Sequence, residues 1–273
     1  SSAASGAAIG TAIAPGIGTA IGAAGGALLG GISGSVGNFE DQDAYFKSLV
    51  QETYDKYNEE QANALSNGLT IASNRQQSQL QFTTLLGSSD AAAEWVDWMK
   101  QYSAFTPFTY DELANLSKVG LAYDFNTDEV KGMMQAIGDA GSALGIQGTE
   151  LQEVAAQIGR MNSTGKVTLE YLDPLIERGI DAMQYLADSM TEASGGEKIY
   201  TKADVSEAIS KGELNGADAA RAIMGAMAEE FAGSMDLLAE TYAGKMSTLE
   251  DAQGNLDAAM GAGYMEERNK GLD

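Results

Sequence analysis

Between residues 90 and 253 the chain repeatedly spells out where a helix begins and ends, and this punctuation limits the fold more than any other feature. Thr109-x-x-Glu112 and Asn126-x-x-Glu129 have the spacing of capping boxes, in which a side-chain oxygen and a carboxylate three residues on satisfy free N–H groups of a first turn. Phe108 stands where a hydrophobic staple residue belongs, and Thr149-x-x-Gln152 repeats the box spacing. Gly87-Ser88-Ser89-Asp90 reads as a break and a fresh N-cap, while Gly145, Arg178-Gly179 and Gly212 read as stops. Asp173-Pro174 places a proline at a first helical position, and Gly195-Gly196 marks a loop. Between these signals apolar residues recur every three or four positions: Trp95, Trp98, Met99 and Tyr102, then Val130, Met133, Met134 and Ile137, then Leu151, Val154 and Ile158. Short helices are expected over 181–190 and 201–211, and one long helix over 217–253. With three prolines and no alternating strand pattern, the expected class is all-α, a multi-helix domain of short and medium helices.

The N-terminal end is different. Residues 1–39 carry no charge, and 11 of the first 37 residues are Gly and 10 are Ala. Gly18, Gly22, Gly26, Gly30 and Gly34 recur every four residues beside a second row at Ile9, Ile13, Ile17 and Ile21. On a helix these rows become a smooth glycine face and an aliphatic ridge, a pattern that lets two backbones touch. Each glycine costs about 1 kcal/mol of helix stability relative to Ala, so such a helix needs a partner or a lipid phase. Gly18, Gly22, Gly26 and Gly30 are therefore candidates for a self-association or membrane face. Pro15 and the weakly apolar composition make a poor membrane span, and the absence of a basic leader argues against a signal peptide. The following stretch, 40–89, reads as a polar helix with a thin apolar seam at Tyr45, Leu49, Tyr54 and Tyr57. The expected organisation is an arm over 1–39, a polar connecting helix over 40–89, a helical domain over 90–251, and a helix end or linker over 252–273.

Composition removes most enzyme chemistry. The chain has neither His nor Cys, which excludes Ser-His-Asp triads, thiolate nucleophiles, zinc sites built on imidazole, and disulfides. With 16 basic and 39 acidic residues the net charge is −23, the wrong sign for holding nucleic acid by its phosphates. Asp124-x-Asn126-x-Asp128 imitates a calcium loop, but Glu129 and Gln135 replace its required Gly and Glu, leaving a turn plus an N-cap. Gly159 to Gly165-Lys166 has five intervening residues where a phosphate loop has four, and Val167 where that loop needs Ser or Thr. Gly16-x-Gly18 followed by Gly22 has the wrong spacing for a dinucleotide fold. Asp111/Glu112 and Glu229/Glu230 are sequence neighbours that diverge by about 100° on a helix. The Trp95/Trp98/Tyr102 stripe and the methionine-rich faces read as core. No catalytic residue, metal ligand or cofactor is expected.

One resemblance goes further. Ser103-Ala104-Phe105-Thr106-Pro107-Phe108 before a helix, Ala136-Ile137-Gly138-Asp139-Ala140, Ile158-Gly159-Arg160-Met161, Gly165-Lys166, Glu177-Arg178-Gly179-Ile180, Phe231-x-Gly233-Ser234-Met235 and the ending from Thr241 to Asp251 follow one another in order. Over about 90–251 this series resembles the tape measure domain of phage and prophage tail tape measure proteins. Asp173-Pro174 and Ser194-Gly195-Gly196 depart from the family pattern, and the glycine-rich arm lies outside it. The resemblance marks Thr106, Pro107, Phe108, Gly138, Asp139, Gly165 and Gly179 as structural positions and implies no catalytic residue. It implies a structural protein that sets tail length, occupies the tube lumen and leaves ahead of the genome. Its implied partners are tube, baseplate or tip proteins, assembly chaperones and further copies of itself, with host membrane contact on ejection and no specific nucleic acid. The implied locations are the virion tail lumen, the bacterial cytoplasm during assembly and the host envelope on infection. A membrane-active protein working through the glycine face is the alternative.

Overall fold

The computed structural model describes residues 39–270, and every regular element among them is a helix. The expected all-α class is the observed one. The glycine row at Gly18, Gly22, Gly26 and Gly30 lies outside the described residues. In order the helices are α1 (Phe39–Leu86), α2 (Ser89–Ser103), α3 (Tyr110–Ala122), α4 (Thr127–Leu144), α5 (Thr149–Thr164), α6 (Leu169–Ile176), α7 (Ala182–Ala193), α8 (Lys202–Lys211), α9 (Gly216–Glu230), α10 (Ser234–Ala239) and α11 (Tyr242–Asn269). The chain divides into two units, residues 73–255 and the remainder at both ends.

In the larger unit α9 packs against both α4 and α5, and the other short helices gather around these three. Met133, Met134, Ile137, Ile158, Met161, Ile223 and Met227 are all buried there. Unbranched methionines fill the irregular gaps that short helices leave where they cross. Each such side chain contributes about 1.5–3 kcal/mol by leaving water. Trp95 and Met99 of α2 are buried, and Trp98 and Tyr102 pack on the same core. The rings of Trp95 and Trp98 stack at 4.9 Å, those of Trp98 and Tyr102 at 5.0 Å, and the Trp95 indole N–H donates to Ser117 Oγ at 2.7 Å. The aromatic stripe is core, as its spacing indicated.

Local helix chemistry is built largely as written. Thr109/Glu112 and Asn126/Glu129 form complete capping boxes, and Thr201/Asp204 forms a third. Ser88 and Asp181 cap α2 and α7, and Gly145, Gly165 and Gly212 close their helices in the left-handed region. Three expectations are corrected. The single helix over 217–253 is broken into α9, α10 and α11, because Phe231 caps α9 and Gly233 turns the chain at φ +78°. Thr149 does not cap α5; Gly148 does, at φ +57° and ψ −122°, without a side-chain bond. Pro174 is not at the start of α6, which begins at Leu169 after Thr168. It sits near the end, where its missing N–H interrupts only the last turn.

The smaller unit is described over 39–72 and 256–270. There Gly68 of α1 and Gly261 of α11 let two backbones meet: a Cβ on Gly68 would collide with the Asp257 carbonyl, and one on Gly261 with Gly68 itself. Ala72 and Ala258 are buried in the same unit.

Gly216 gives a test in the larger unit. It is buried, its N–H donates to the Gly165 carbonyl at 3.0 Å, and a Cβ there would strike the Met161 carbonyl. Gly225, on the same helix, is exposed and has open space around it. Gly216→Ala is expected to destabilise by about 1–3 kcal/mol through overpacking. Gly225→Ala is expected to stabilise by just under about 1 kcal/mol. Urea midpoints should therefore move in opposite directions for the same chemical change.

Candidate functional site

The two buried carboxylates of the larger unit, Asp139 and Asp251, serve helix ends. Asp251 of α11 is buried, and its Oδ1 accepts the backbone N–H of Tyr110, the first residue of α3, at 3.2 Å. Its Oδ2 accepts from Ser103 Oγ at the end of α2 (2.8 Å) and from Asn255 Nδ2 (3.1 Å). Arg75 of α1 donates from Nη2 to Asn255 Oδ1 at 2.6 Å, and its guanidinium lies 4.9 Å from the centre of the Tyr110 ring. A carboxylate suits that place, because the first-turn N–H groups of a helix lack internal partners and carry partial positive charge. α3 thus has its own capping box and a second acceptor from α11.

Asp139 repeats the arrangement from the middle of α4. It is buried, and its Oδ1 accepts the N–H of Met235 in the first turn of α10 at 2.9 Å. α10 has no side-chain cap from its own N-cap residue, Gly233, so Asp139 supplies it. Gly138 makes the approach possible. A Cβ there would lie 2.8 Å from Met235 Sδ and 3.2 Å from Phe108 Cε2.

The structure thereby brings together Thr106, Pro107 and Phe108 with Gly138 and Asp139. Thr106 and Phe108 are buried, and the Pro107 carbonyl accepts from Ser247 Oγ of α11 at 3.0 Å. A cleft of about 280 Å³ beside them is bordered by Pro107, Phe108, Gly141, Ile146, Leu238 and Gly244. Gly165 and Gly179 lie elsewhere. Gly165 closes α5 at φ +68° and joins the start of α9, where Lys166 and Asn215 form an isolated bridge. Gly179 turns the chain at φ +88° beneath Leu144. The Gly165–Lys166 backbone is thus held by α9 and forms no phosphate cradle. Asn126 Oδ1 is held by the N–H groups of Asp128 and Glu129, both at 3.0 Å, which is the expected turn and N-cap. Of the adjacent carboxylates, Glu112 closes its capping box and Glu230 accepts the Tyr185 hydroxyl at 2.5 Å.

The contact of Asp251, named in the sequence only as the end of the family series, and the constraint at Gly216 are what sequence reading misses. Asp251 acts on Tyr110 across 141 positions, and nothing in either neighbourhood announces the pairing.

Burial pushes the Tyr110 hydroxyl up to about 12; the nearby Arg75 opposes this, and Asp111 and Asp97 add to it. Burial, then the charges of Asp139 and Asp236, push Tyr102 up to about 12 as well. Tyr185 is raised by burial and by its bond to Glu230. Among the described residues no group of three or more His, Cys, Asp or Glu is placed to hold a metal ion. The site is one of helix-end anchoring.

Two buried carboxylates of this all-helical fold serve helix ends, and the class of protein follows from comparison with known families. Residues 66–261 match the family described as tape measure protein, well over half the chain, so this chain belongs to the tape measure protein family and has a structural role related to phage tails. It is 25% identical over 194 residues to the Mu-like prophage FluMu protein gp42 of Haemophilus influenzae, which covers 70% of this chain. The matched stretch spans 28% of that relative's length. No solved structure matches.

Asp139→Ala should cost about 1–2 kcal/mol by uncapping α10, with Asp139→Asn recovering part of it because an acceptor oxygen remains. Asp251→Ala should cost about 1–3 kcal/mol, since it strands a buried hydroxyl and a buried N–H. Urea unfolding of the three variants checks both values. Tyr102, Tyr110 and Tyr185 have raised folded values, so the native state holds more protons than the unfolded state above about pH 10. Stability should therefore fall as pH rises from about 10 towards 12, with ultraviolet titration showing three tyrosines that ionise late.

Proposed function

We propose that this chain is a module of a phage or prophage tail tape measure protein that occupies the tail-tube lumen during assembly, helps set tail length and leaves ahead of the genome. The family match over 66–261, on a helical unit whose two buried carboxylates anchor helix ends, carries the reading. A helix rises about 1.5 Å per residue, so helical sequence converts residue number into length, and about 270 residues could reach at most about 400 Å. The chain is accordingly one part of a longer ruler, in keeping with the greater length of its Haemophilus relative. The net charge of −23 would keep the surface from adhering to DNA sharing the same tube. Further copies of the chain lie beside it there, and tube, baseplate or tip proteins and assembly chaperones are its partners. Among the described residues no helix is long and apolar enough to cross a membrane.

Protection in assembled particles tests this. Purified tails should contain the chain, shielded from added protease until DNA ejection is triggered and released afterwards. Absence from tails, or equal cleavage before and after ejection, would overturn the reading.

A further inference from the structure

Exposed apolar bulk gathers around one opening in the larger unit. Among the described residues the four most exposed large apolar side chains are Tyr242 (81%), Ile199 (80%), Phe105 (79%) and Leu237 (71%). Three of them adjoin the walls of the cleft beside Phe108. Phe105 lies two residues before Pro107, Leu237 precedes Leu238, and Tyr242 precedes Ala243. A single exposed apolar residue is ordinary, whereas three around one cleft have the anatomy of an interface. Phe108, Ile146 and Leu238 supply apolar wall inside it. At about 280 Å³ the cleft is smaller than most small-molecule sites and suits one inserted side chain.

Its polar groups set what that side chain must carry. Among the described residues that line the cleft, only Glu112 is charged. Both hydrogen bonds that Glu112 accepts, from the Thr109 N–H at 2.9 Å and the Thr109 hydroxyl at 3.0 Å, fall on Oε2. Oε1 is left to accept from outside the capping box. Ser142, at the end of α4, also lines the cleft, and its hydroxyl has no hydrogen-bond partner.

We propose that this cleft receives a lysine side chain of a partner protein, with Phe105, Leu237 and Tyr242 seated against apolar surface around it. A single carboxylate calls for a single cation. Arginine pairs best with both oxygens of a carboxylate at once, and here Oε2 is taken. A lysine ammonium is a point charge with three donors, so it needs only Oε1 and has a donor to spare for Ser142. Its four methylenes lie along Phe108, Ile146 and Leu238. The net charge of −23 favours a cationic partner over an acidic one. This rests on the reading that the chain works against other tail proteins, and names the surface that meets one of them.

Titrated into the full chain, Nα-acetyl-lysine methylamide should shift the backbone amide resonances of Gly141, Ser142, Gly244 and Ser247 saturably at millimolar concentration. The norleucine analogue, which lacks only the ammonium, should bind about tenfold more weakly. Glu112→Gln keeps an acceptor oxygen for the capping box and should bring the two analogues level. Ala243→Trp, at an exposed position of the rim, should block both with melting unchanged. In purified tails a carbodiimide, which joins a carboxylate to an amine as an amide with loss of water, should couple Glu112 to a lysine of a different protein. Glu112→Gln should remove that product. Equal affinity for the two analogues, absence of saturable shifts, or coupling of Glu112 only to lysines of this same chain would overturn the proposal. Lysine selectivity in a chain absent from tails would sink the tube reading and leave the cleft standing. A chain protected inside tails whose cleft ignores the lysine analogue would do the reverse.

Discussion

The larger unit depends on the chemistry of helix beginnings. A fold of many short helices multiplies the N–H groups that no internal bond can satisfy, and burying such an end without an acceptor costs about as much as a lost hydrogen bond. Two of these ends meet a carboxylate from a helix remote in sequence. Asp251 reaches the first residue of α3, and Asp139 reaches the first turn of α10. Each bond does more than satisfy a donor, because it sets where one helix begins against the flank of another. Ser103, Asn255 and Arg75 extend the Asp251 contact to α2 and α1. Apolar packing among methionines and alanines is permissive about relative position, and these directional contacts are where it becomes specific.

The parts legible in the sequence are those decided within four residues. The boxes at Thr109 and Asn126 and the left-handed glycines at Gly145 and Gly212 are local transactions between a side chain or a missing side chain and its own backbone. The break between α9 and α11 was illegible for the opposite reason. Apolar spacing carries on through Phe231, Leu237 and Leu238, so periodicity alone continues the helix, while the Asp139 carboxylate that stabilises a fresh start at Met235 comes from 96 positions away. Gly216 was hidden likewise: its constraint is the Met161 carbonyl, and a glycine in a helix otherwise reads only as a weak helix former. Pro174 misled because proline is common at a first helical position, whereas α6 stops two residues after it and forfeits little.

The positions marked by family resemblance acquire a physical meaning in packing and capping. Gly138 and Asp139 act as a pair, the glycine clearing space for Met235 and Phe108 and the aspartate capping the helix whose first turn holds Met235. Thr106-Pro107-Phe108 supplies the other wall of that contact and, through the Pro107 carbonyl, a foothold for Ser247. Gly165 and Gly179 serve separate turns. A sequence pattern that looks like a dispersed site therefore resolves into one tertiary contact and two chain reversals, as a structural family requires.

α11 shows how the same economy reaches the edge of the fold. Glycines at 244, 261 and 263 would weaken a free helix by about 1 kcal/mol each. Two of them recover that loss by close backbone contact, Gly244 against Leu238 and Ala239 and Gly261 against Gly68. Gly263 has open space beside it and recovers nothing from the described residues. Tyr264 beside it, with Leu256 and Met260, is an exposed apolar side chain on the same stretch. Among the described residues this end of α11 thus keeps an uncompensated glycine beside exposed apolar side chains.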